Sequence, residues 1–301
     1  MAAVIPFTFT FAWQNVDETF RRQLFAEFAA NGAKHLTLTD GLLKMIGENP
    51  ALYRKLPAEA AEAGIAFTDA HAPFTGETDL GMPVRAWRPQ MLARQKYHLQ
   101  VVSDFGIRTC TMHPSTTFYP EYSVAEHLEA VRRSLDALLP LAESLDVTIC
   151  LENIYKPCCT AADLLTLLSE YPSDHLGVCY DSGHAHIVEH GRSTPDWVAR
   201  RNWTEKGLGD VPEEHDILGR LLPHIVNCHL HDNDAMWDVH LLPGKGTIDW
   251  QPLLARLRTA PRLRCMQSEV ASTCGYPVGL MVNTFRELLS ARIPGEAEIV
   301  F

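Results

Sequence analysis

The sequence predicts an α/β fold in which eight parallel strands alternate with helices and close into a (β/α)₈ TIM barrel. Its 301 residues suit one such barrel. Short apolar or β-branched runs alternate with longer amphipathic runs, the pattern of a parallel sheet covered by helices. No linker, low-complexity tract or break in composition interrupts the chain. We therefore expect a single barrel domain over residues 1–301.

The strand candidates are short, and each is followed by a polar turn. An open, doubly wound sheet would favour a glycine-rich phosphate-binding turn after its first strand. That turn reads Ala12, Trp13, Gln14 and Asn15, without a glycine, so a closed barrel fits better. The predicted strands are residues 5–11, 35–39, 66–72, 109–113, 148–153, 177–181, 225–231 and 265–270.

The helix candidates lie between these strands. Asp17 and Ser123 have the side chains of N-caps, and Gly32 and Gly106 are suited to helix C-termini. The one long irregular stretch is residues 189–214, which could be a lid, a contact surface of a homo-oligomer or a plain surface excursion. The predicted helices are residues 17–31, 83–105, 123–145, 161–170, 212–222, 250–259 and 277–291.

Composition and charge exclude several classes of protein. No apolar run is long enough to cross a bilayer. The apolar N-terminus has no basic segment typical of a secretory signal, so we expect a cytoplasmic protein. The net charge of −11 argues against a nucleic acid partner, since binding to the phosphate backbone normally uses a basic stripe. The eight cysteines are interpreted as free, because most lie in apolar strand candidates.

Ionisable side chains end six consecutive strands, from the third to the eighth. Reactive residues of α/β barrels collect at these carboxyl ends. Histidine and carboxylate side chains bind divalent cations, and burying so many of them without a cation would be costly. The sequence therefore predicts a metal centre. The candidate ligands are His71, His113, Glu152, Asp181, His184, His229, Asp238, His240 and Glu269.

These motifs resemble the xylose isomerase-like barrels, which include sugar isomerases and epimerases and the endonuclease IV type of DNA repair enzyme. The most specific stretch is HLHDN at 229–233, followed by DVHLLPGKGTIDW at 238–250. It is similar to the H-x-x-D, D-x-H and P-G-x-G-x-I-D-W pattern of sugar isomerase-like members. The D-x-x-H element of the family matches Asp181 and His184. The matching motifs extend from His71 to Glu269.

The resemblance to the isomerases implies a metal-dependent isomerase or epimerase of a small sugar, ketose or inositol-like substrate. Glu152, Asp181, His229 and Glu269 match the four ligands of one divalent ion, for which Mn, Zn, Co, Fe and Mg are all candidates. Such an ion chelates adjacent oxygens of an open-chain sugar and stabilises an enediolate. Glu152 and Glu269 would be the acid/base pair that moves the proton, and His184 would contact a substrate hydroxyl.

The resemblance to the repair enzymes implies an alternative, a phosphodiesterase for abasic sites with a multinuclear zinc centre. His71, His113 and Glu152 match the first ion, the isomerase-type ligands the second, and His184, Asp238 and His240 the third. The net charge and the loops disfavour this alternative. The loop at 40–44 lacks an Arg-, Gln- and Trp-rich segment, and the loop after His71 offers one bulky apolar residue for insertion into stacked bases. A third possibility is a barrel that binds a sugar without converting it.

Other residues are candidates for contacts with the substrate, each beside a simpler interpretation. Phe74 suits a sugar face, and Trp13 could form a pocket wall or pack in the core. Lys245 could bind a phosphate or carboxylate, or be solvated. His231 could contact the substrate or only pack. A final group comprises His186, His190 and His215, expected to be exposed or capping, and Asn153 and Asn233, expected to orient ligands.

Overall fold

The computed structural model describes residues 4–193, 196–271, 274–290 and 297–301. Eight parallel strands form a closed barrel, because the first strand pairs with both the second and the eighth. The predicted fold class is therefore confirmed. The strands are β1 Val4–Phe9, β2 His35–Leu38, β3 Ala66–His71, β4 Thr109–Met112, β5 Thr148–Glu152, β6 Leu176–Asp181, β7 Ile225–Leu230 and β8 Cys265–Ser268.

All eight predicted strands are present, but most predicted ends lie one or two residues beyond the hydrogen-bonded ladder. The difference falls where the chain leaves the sheet and its side chains turn toward the barrel mouth. A ninth strand, β9 Glu298–Val300, was not predicted. It pairs in parallel with the first half of β1, and its three residues are too short to form a recognisable pattern.

The helices pack around the outside of the barrel. Asp17 caps the first helix by accepting the Phe20 N–H at 2.8 Å, and Ser123 forms a capping box with Glu126, so both predicted caps are confirmed. The helices are α1 Glu18–Ala30, α2 Asp40–Glu48, α3 Leu52–Glu62, α4 Arg88–Asp104, α5 Val124–Ser144, α6 Ala161–Glu170, α7 Ser182–His190, α8 Val198–Trp203, α9 Ile217–Leu221, α10 Trp250–Leu257 and α11 Val278–Leu288.

Three helix and loop predictions need correction. Residues 40–44, taken as a loop, begin α2, and the Thr39 side chain caps that helix by accepting the Leu42 N–H at 3.3 Å. The predicted helix at 212–222 is reduced to α9, because Asp216 is left-handed at φ 51° and Glu214 is used elsewhere. Its carboxylate accepts the Ala161 and Ala162 N–H groups at the start of α6. The predicted helix start at 83 moves to Arg88, and the predicted end at Ala291 lies outside the described residues.

The stretch at 189–214 is also more ordered than predicted. It includes the end of α7 and all of α8, although residues 194 and 195 are not described. Trp197 donates its indole N–H to the Ile187 carbonyl at 2.8 Å, and Trp203 donates to the Tyr155 carbonyl at 3.1 Å. Both indoles are buried. The segment is thus held against the barrel by its tryptophans.

The cysteines are free, as predicted, and seven of the eight are buried. Several of them lie inside the strands and act as small apolar side chains. Among the described residues, no helix has both the length and the apolar character that a bilayer span requires.

A layer of polar side chains crosses the barrel interior below the strand ends. The hydroxyls of Thr8 and Thr37 lie 2.9 Å apart, and Thr37 donates to Gln267 at 2.7 Å. On the other side, the Asp69 carboxylate accepts hydrogen bonds from Thr109 and Asn227. Because side chains alternate along a strand, residues two positions before the strand-end ligands lie directly beneath them. The ligand ring thus rests on a hydrogen-bonded layer.

We predict that the buried ion pair between α1 and α3 is essential for stability. Arg21 donates to Glu59 at 2.8 and 2.9 Å, and both side chains are 3% exposed. Arg21→Met would leave the carboxylate buried and unpaired, at a cost of about 3–5 kcal/mol in the free energy of unfolding, measured by urea denaturation. Adding Glu59→Leu to this variant should restore most of the lost free energy of unfolding.

The matched control lies one residue away on α1. Arg22 pairs with Glu62 on α3, and these side chains are 47% and 65% exposed. Arg22→Met should therefore cost no more than about 1 kcal/mol. Equal losses in the two single variants would contradict the interpretation that burial makes the first pair important.

Candidate metal centre

The strand-end side chains of β3 to β8 meet in one cavity at the carboxyl end of the barrel. The cavity has a volume of about 210 Å³. Its walls include Phe74, Thr75, Tyr155 and Lys156 from the surrounding loops. The predicted ligands that line it are His71, His113, Glu152, His184, Asp238, His240 and Glu269.

The four predicted isomerase-type ligands lie together, and two of them, Glu152 and Glu269, line this cavity. One side-chain atom from each of Glu152, Asp181, His229 and Glu269 lies within 4.8 Å of the others. His229 Nδ1 is 3.3 Å from Glu152 Oε2, 3.2 Å from Glu269 Oε2 and 3.9 Å from Asp181 Oδ2. Glu152, Asp181 and His229 are almost completely buried. The four side chains that the sequence analysis grouped as ligands thus lie close together in the structure.

Two further histidines approach the same glutamate from β3 and β4. Nε2 of His113 lies 3.0 Å from Glu152 Oε2, and Nε2 of His71 lies 3.4 Å from the same oxygen. His71, Glu152 and His229 form a second group whose ligand atoms lie within 4.8 Å. Glu152 is thus shared by two predicted ligand sets, the one with His71 and His113 and the isomerase-type one with Asp181, His229 and Glu269.

A third group forms where the loop after β7 crosses the start of α7. It contains His184, Asp238 and His240, as predicted, together with His231. Asp238 lies 3.2 Å from His184 Nε2 and 3.1 Å from His240 Nε2. His231 stacks on His240 with ring centroids 3.7 Å apart, and its Nε2 lies 3.1 Å from Asp181 Oδ2.

The role of His231 was left open by the sequence. Its spacing of two residues from His229 was the available signal, because alternate residues of a strand share a face. In the structure, His231 contacts both Asp181, in the first group, and His240, in the third. The side chain therefore supports the ligands in addition to packing.

Main-chain carbonyls fix the ring orientation of three histidines. Nδ1 of His71, His184 and His240 lies 2.8, 3.0 and 2.7 Å from the carbonyl oxygens of Ala72, Asn153 and Glu269. A carbonyl only accepts, so Nδ1 of each ring carries a proton. When the ring is neutral, its Nε2 lone pair then faces a carboxylate. That arrangement requires either protonation of the ring or a cation between the two groups.

The donor set and its spacing fit a divalent cation. Atoms about 2.1 Å from one ion lie roughly 3.0–3.4 Å from each other, depending on coordination geometry. The distances from His229 Nδ1 to Glu152 and Glu269 and from His113 Nε2 to Glu152 fall in this range, whereas the 3.9 Å from His229 Nδ1 to Asp181 is longer. His229 Nδ1 is also a buried atom without a hydrogen-bond acceptor or donor among the described residues. A bound ion would satisfy it.

Electrostatics favours ionised carboxylates in the cavity. Burial alone would raise the pKa of Glu152, but the neighbouring His113 and His229 outweigh it and hold that pKa well below its usual range. For His184, burial acts to lower the pKa, and the charges of Asp181 and Asp238 raise it well above its usual value. The carboxylates are thus ready to bind a cation, which would compete with protons on the histidines.

The HLHDN and PGKGTIDW motifs fold around one buried carboxylate. Asp232 accepts the Gly244 N–H at 2.8 Å, the Ile248 N–H at 3.2 Å and the Trp250 indole N–H at 3.1 Å. A side chain at Gly246 would collide with this carboxylate, since its Cβ would lie 2.4 Å from Asp232 Oδ1. The motif therefore closes the loop that carries Asp238 and His240.

Asp79 is a site residue that the sequence analysis missed. Its carboxylate accepts the N–H groups of Thr75, Thr116 and Thr117 at 2.9, 2.9 and 2.7 Å, and the Thr116 hydroxyl at 2.6 Å. These bonds join the loop after β3 to the loop after β4 and so hold the cavity wall that includes Phe74. A lone aspartate in a loop carried no signal for this.

The four candidates for substrate contact have different positions. His184 and Phe74 line the cavity, and the Phe74 ring lies 4.4 Å from the His113 ring. Trp13 is fully buried beside Phe25 in the core and is not among the residues that line this cavity. Lys245 is exposed in its turn and lies outside the cavity lining. Lys156 and Tyr155, which the sequence analysis did not select, line the cavity instead.

Of the three histidines expected to be exposed or capping, His186, His190 and His215, one has a different environment. His190 and His215 are exposed, as expected. His186 is half-buried on α7 and bonds to the Thr247 hydroxyl at 2.8 Å. Asn153 accepts the Asp181 N–H at 2.9 Å, and Asn233 donates to the Gly183 carbonyl at 2.9 Å, so both stabilise the strand-end backbone near the ligands.

We predict that Asp232→Asn destabilises the loop after β7. The amide replaces one acceptor oxygen with a donor that faces other N–H groups. Since a hydrogen bond to a charged group contributes about 1.5–3 kcal/mol, we expect a loss of that size in urea unfolding. Asp234→Asn, in an exposed side chain of the same loop, is the control and should be nearly neutral. Similar losses in both variants would refute the proposed role of Asp232.

Comparisons with known proteins agree with the barrel fold described above. A family model for the xylose isomerase-like TIM barrel matches residues 25–262. The protein y4fM of Sinorhizobium fredii is 28% identical over 196 residues, which cover 61% of this chain and 55% of that protein. The chain thus spans little more than half the length of this relative.

Two solved structures share the fold at low sequence identity. A D-tagatose 3-epimerase-like protein superposes with a TM-score of 0.71 at 16% identity, covering 94% of this chain and 97% of the other. The 3-keto-D-glucoside 4-epimerase YcjR of E. coli gives 0.70 at 16% identity, covering 95% and 100%. At this identity the superpositions support the fold alone. The family match, which extends over most of the barrel, identifies the chain as a member of the xylose isomerase-like TIM barrel family.

Proposed function

We propose that the chain is a metal-dependent isomerase or epimerase of a small sugar, ketose or inositol-like substrate. The observation that carries the proposal is the position of two glutamates. Glu152 on β5 and Glu269 after β8 both approach His229 Nδ1, at 3.3 and 3.2 Å, from different strands of the ring. Two carboxylates at one ligand group can take a proton from a substrate carbon and return one to it.

The proposed ion ligands are Glu152, Asp181, His229 and Glu269, which lie within 4.8 Å of one another. A divalent ion held there would polarise the carbonyl of an open-chain sugar and stabilise the negative charge of an enediolate. The mixed histidine and carboxylate set suits Mn, Zn, Co, Fe or Mg. We propose a sugar as the substrate class because the chain shares its fold with a D-tagatose 3-epimerase-like protein and with a 3-keto-D-glucoside 4-epimerase.

The two glutamates differ in exposure, which suggests different roles. The side chain of Glu152 is 1% exposed, whereas that of Glu269 is 17% exposed. Glu269 also borders a neighbouring cavity of about 270 Å³ with His240 and Phe11. A proton on Glu269 can therefore exchange with solvent more readily than one on Glu152. We assign exchange with water to Glu269 and proton transfer without exchange to Glu152.

The rest of the cavity suits a polyhydroxylated ligand. The rings of Phe74 and Tyr155 offer apolar faces to the C–H groups of a sugar. Lys156, Thr116 and His184 offer polar groups for its hydroxyls. A cavity of about 210 Å³ has room for a small substrate of this kind. Lys245 and Trp13 have no part in this proposal.

We predict that Glu152→Gln and Glu269→Gln each lower turnover by about 10²–10⁴-fold, because each removes one acid/base group. The measurement is deuterium uptake from D₂O at the carbon next to the carbonyl, followed by NMR with D-tagatose as the probe and then a wider set of ketoses. Glu213→Gln is the control, since this carboxylate is 68% exposed and is not among the residues that line the cavity. Full turnover in both variants would refute the acid/base pair. Binding without any exchange would indicate a sugar-binding barrel.

A second candidate function is hydrolysis of a phosphodiester at an abasic site. The observation that favours it is the set of three ligand groups around Glu152 and Asp181, which could hold more than one ion. His71, His184 and His240 have Nε2 atoms directed at carboxylates, as ligands of further ions would. The net charge of −11 opposes binding to a phosphate backbone.

Metal content and one assay separate the two candidates. We expect the purified chain to bind at least one divalent ion and to leave a duplex with an abasic site intact, even at stoichiometric protein. Metal per chain is measured by elemental mass spectrometry, and incision by denaturing gel electrophoresis. Three ions per chain together with rapid incision would replace the isomerase by the phosphodiesterase. The variant His240→Gln should lower the metal count only if the third group binds an ion.

A further inference from the structure

A buried chain of side-chain hydrogen bonds runs beneath the ligand ring and ends on His229. Thr111 Oγ1 lies 3.4 Å from His229 Nε2. The amide nitrogen of Asn227 donates to Thr111 Oγ1 at 2.9 Å, and it also lies 3.1 Å from Asp69 Oδ2. Asp69, Thr111 and Asn227 are fully buried. They belong to β3, β4 and β7, so the chain crosses the barrel interior.

The direction of these bonds follows from what each group can donate. The Asn227 amide nitrogen only donates, so Asp69 and Thr111 both accept from it. The carboxylate of Asp69 is itself held by the Thr109 hydroxyl at 2.6 Å. The Thr111 hydroxyl hydrogen can point to the Cys179 thiol, which interacts with the side chains of both Thr111 and His229. The remaining lone pair of Thr111 is then available to accept the N–H of His229 Nε2.

The opposite edge of the His229 ring faces the carboxylates. Nδ1 lies 3.2 Å from Glu269 Oε2 and 3.3 Å from Glu152 Oε2. With the proton on Nε2, a neutral ring directs the Nδ1 lone pair into the proposed ion site. His71, His184 and His240 have the reverse arrangement, since their Nδ1 protons are held by main-chain carbonyls. His229 thus differs from these three rings in that side chains hold its proton.

We infer that Asp69, Asn227 and Thr111 are positioning residues that keep the His229 proton on Nε2 and so present Nδ1 to the divalent ion. The inference rests on the proposed metal dependence and adds three residues that touch neither ion nor substrate. Partners that orient a metal-bound histidine typically contribute about 10–100-fold to metal affinity. The contribution should appear as metal affinity, separately from folding stability.

The test removes one hydroxyl without changing the shape of the side chain. Thr111→Val, Thr111→Ser and wild-type protein are titrated with Mn²⁺ in competition with a chromophoric chelator. We expect the dissociation constant to rise about 10–100-fold in the valine variant and to return close to the wild-type value in the serine variant. Thr148→Val is the matched control. Thr148 is also a fully buried barrel threonine, but its hydroxyl accepts a hydrogen bond from Arg264 at 3.1 Å.

A second readout reports on the ring itself. In metal-free protein labelled with ¹⁵N-histidine, at a pH where the His229 ring is neutral, the wild-type ring should hold its proton on Nε2, and the valine variant should distribute it over both ring nitrogens. Thermal unfolding and circular dichroism of the metal-free variants establish that the fold is retained. If Thr111→Val does not fold, Thr111→Ala compared with Thr111→Ser makes the same comparison, because only serine keeps the hydroxyl.

The outcomes are distinct. Weaker Mn²⁺ binding in Thr111→Val, with serine rescue and an unchanged Thr148→Val, supports the inference. Equal Mn²⁺ affinity in wild type and Thr111→Val, both folded, overturns it and leaves the proposed metal dependence intact. Absence of Mn²⁺ and Zn²⁺ binding in the wild-type protein overturns the metal dependence, and the positioning role with it.

Discussion

The close approach of buried carboxylates to one another is the constraint on which the rest of the site depends. Glu152 and Asp181 are almost completely enclosed, and Glu269 approaches the same nitrogen of His229. Negative groups so placed repel each other in a medium of low dielectric constant. The surrounding histidines reduce that repulsion, and a bound cation would reduce it further. The arrangement is therefore unfavourable for a protein without a positive charge at its centre.

The barrel holds these carboxylates in place with three layers: the polar side chains inside the barrel, the ligand-bearing strand ends and the loops above them. The strands bring six ligand-bearing ends to one axis, and hydrogen bonds in the polar layer below them link side chains from several strands. Loops then complete the cavity from above, each held by one buried carboxylate. Asp79 joins the loops after β3 and β4, while Asp232 folds the loop after β7. Rigid strands and fixed loops hold the ligands in place before any ion binds.

Much of this could be read from the sequence, for a physical reason. Strands buried on both faces are continuous apolar runs, so a polar residue at the end of such a run, as in Glu152 or Asp181, stands out. The sequence pattern did not indicate a residue's role where that role depends on a partner that is distant in sequence. Asp79 and Thr111 are ordinary side chains in sequence and gain their roles only from loops or strands that fold beside them. The sequence could not decide whether Trp13 forms a pocket wall, because an aromatic residue near a strand end suits the core equally well.

The main-chain carbonyls that hold His71, His184 and His240 have a consequence for how such a protein can change over generations. A carbonyl oxygen is present whatever side chain the residue bears. The acceptors at Ala72, Asn153 and Glu269 therefore survive substitution at those positions as long as the backbone path is kept. A side chain that lines the cavity without a hydrogen bond to these rings or their carboxylates, such as Phe74, can then be exchanged while the main-chain acceptors keep the three Nδ1 protons in place. A barrel built in this way can acquire new substrates while its chemistry stays the same.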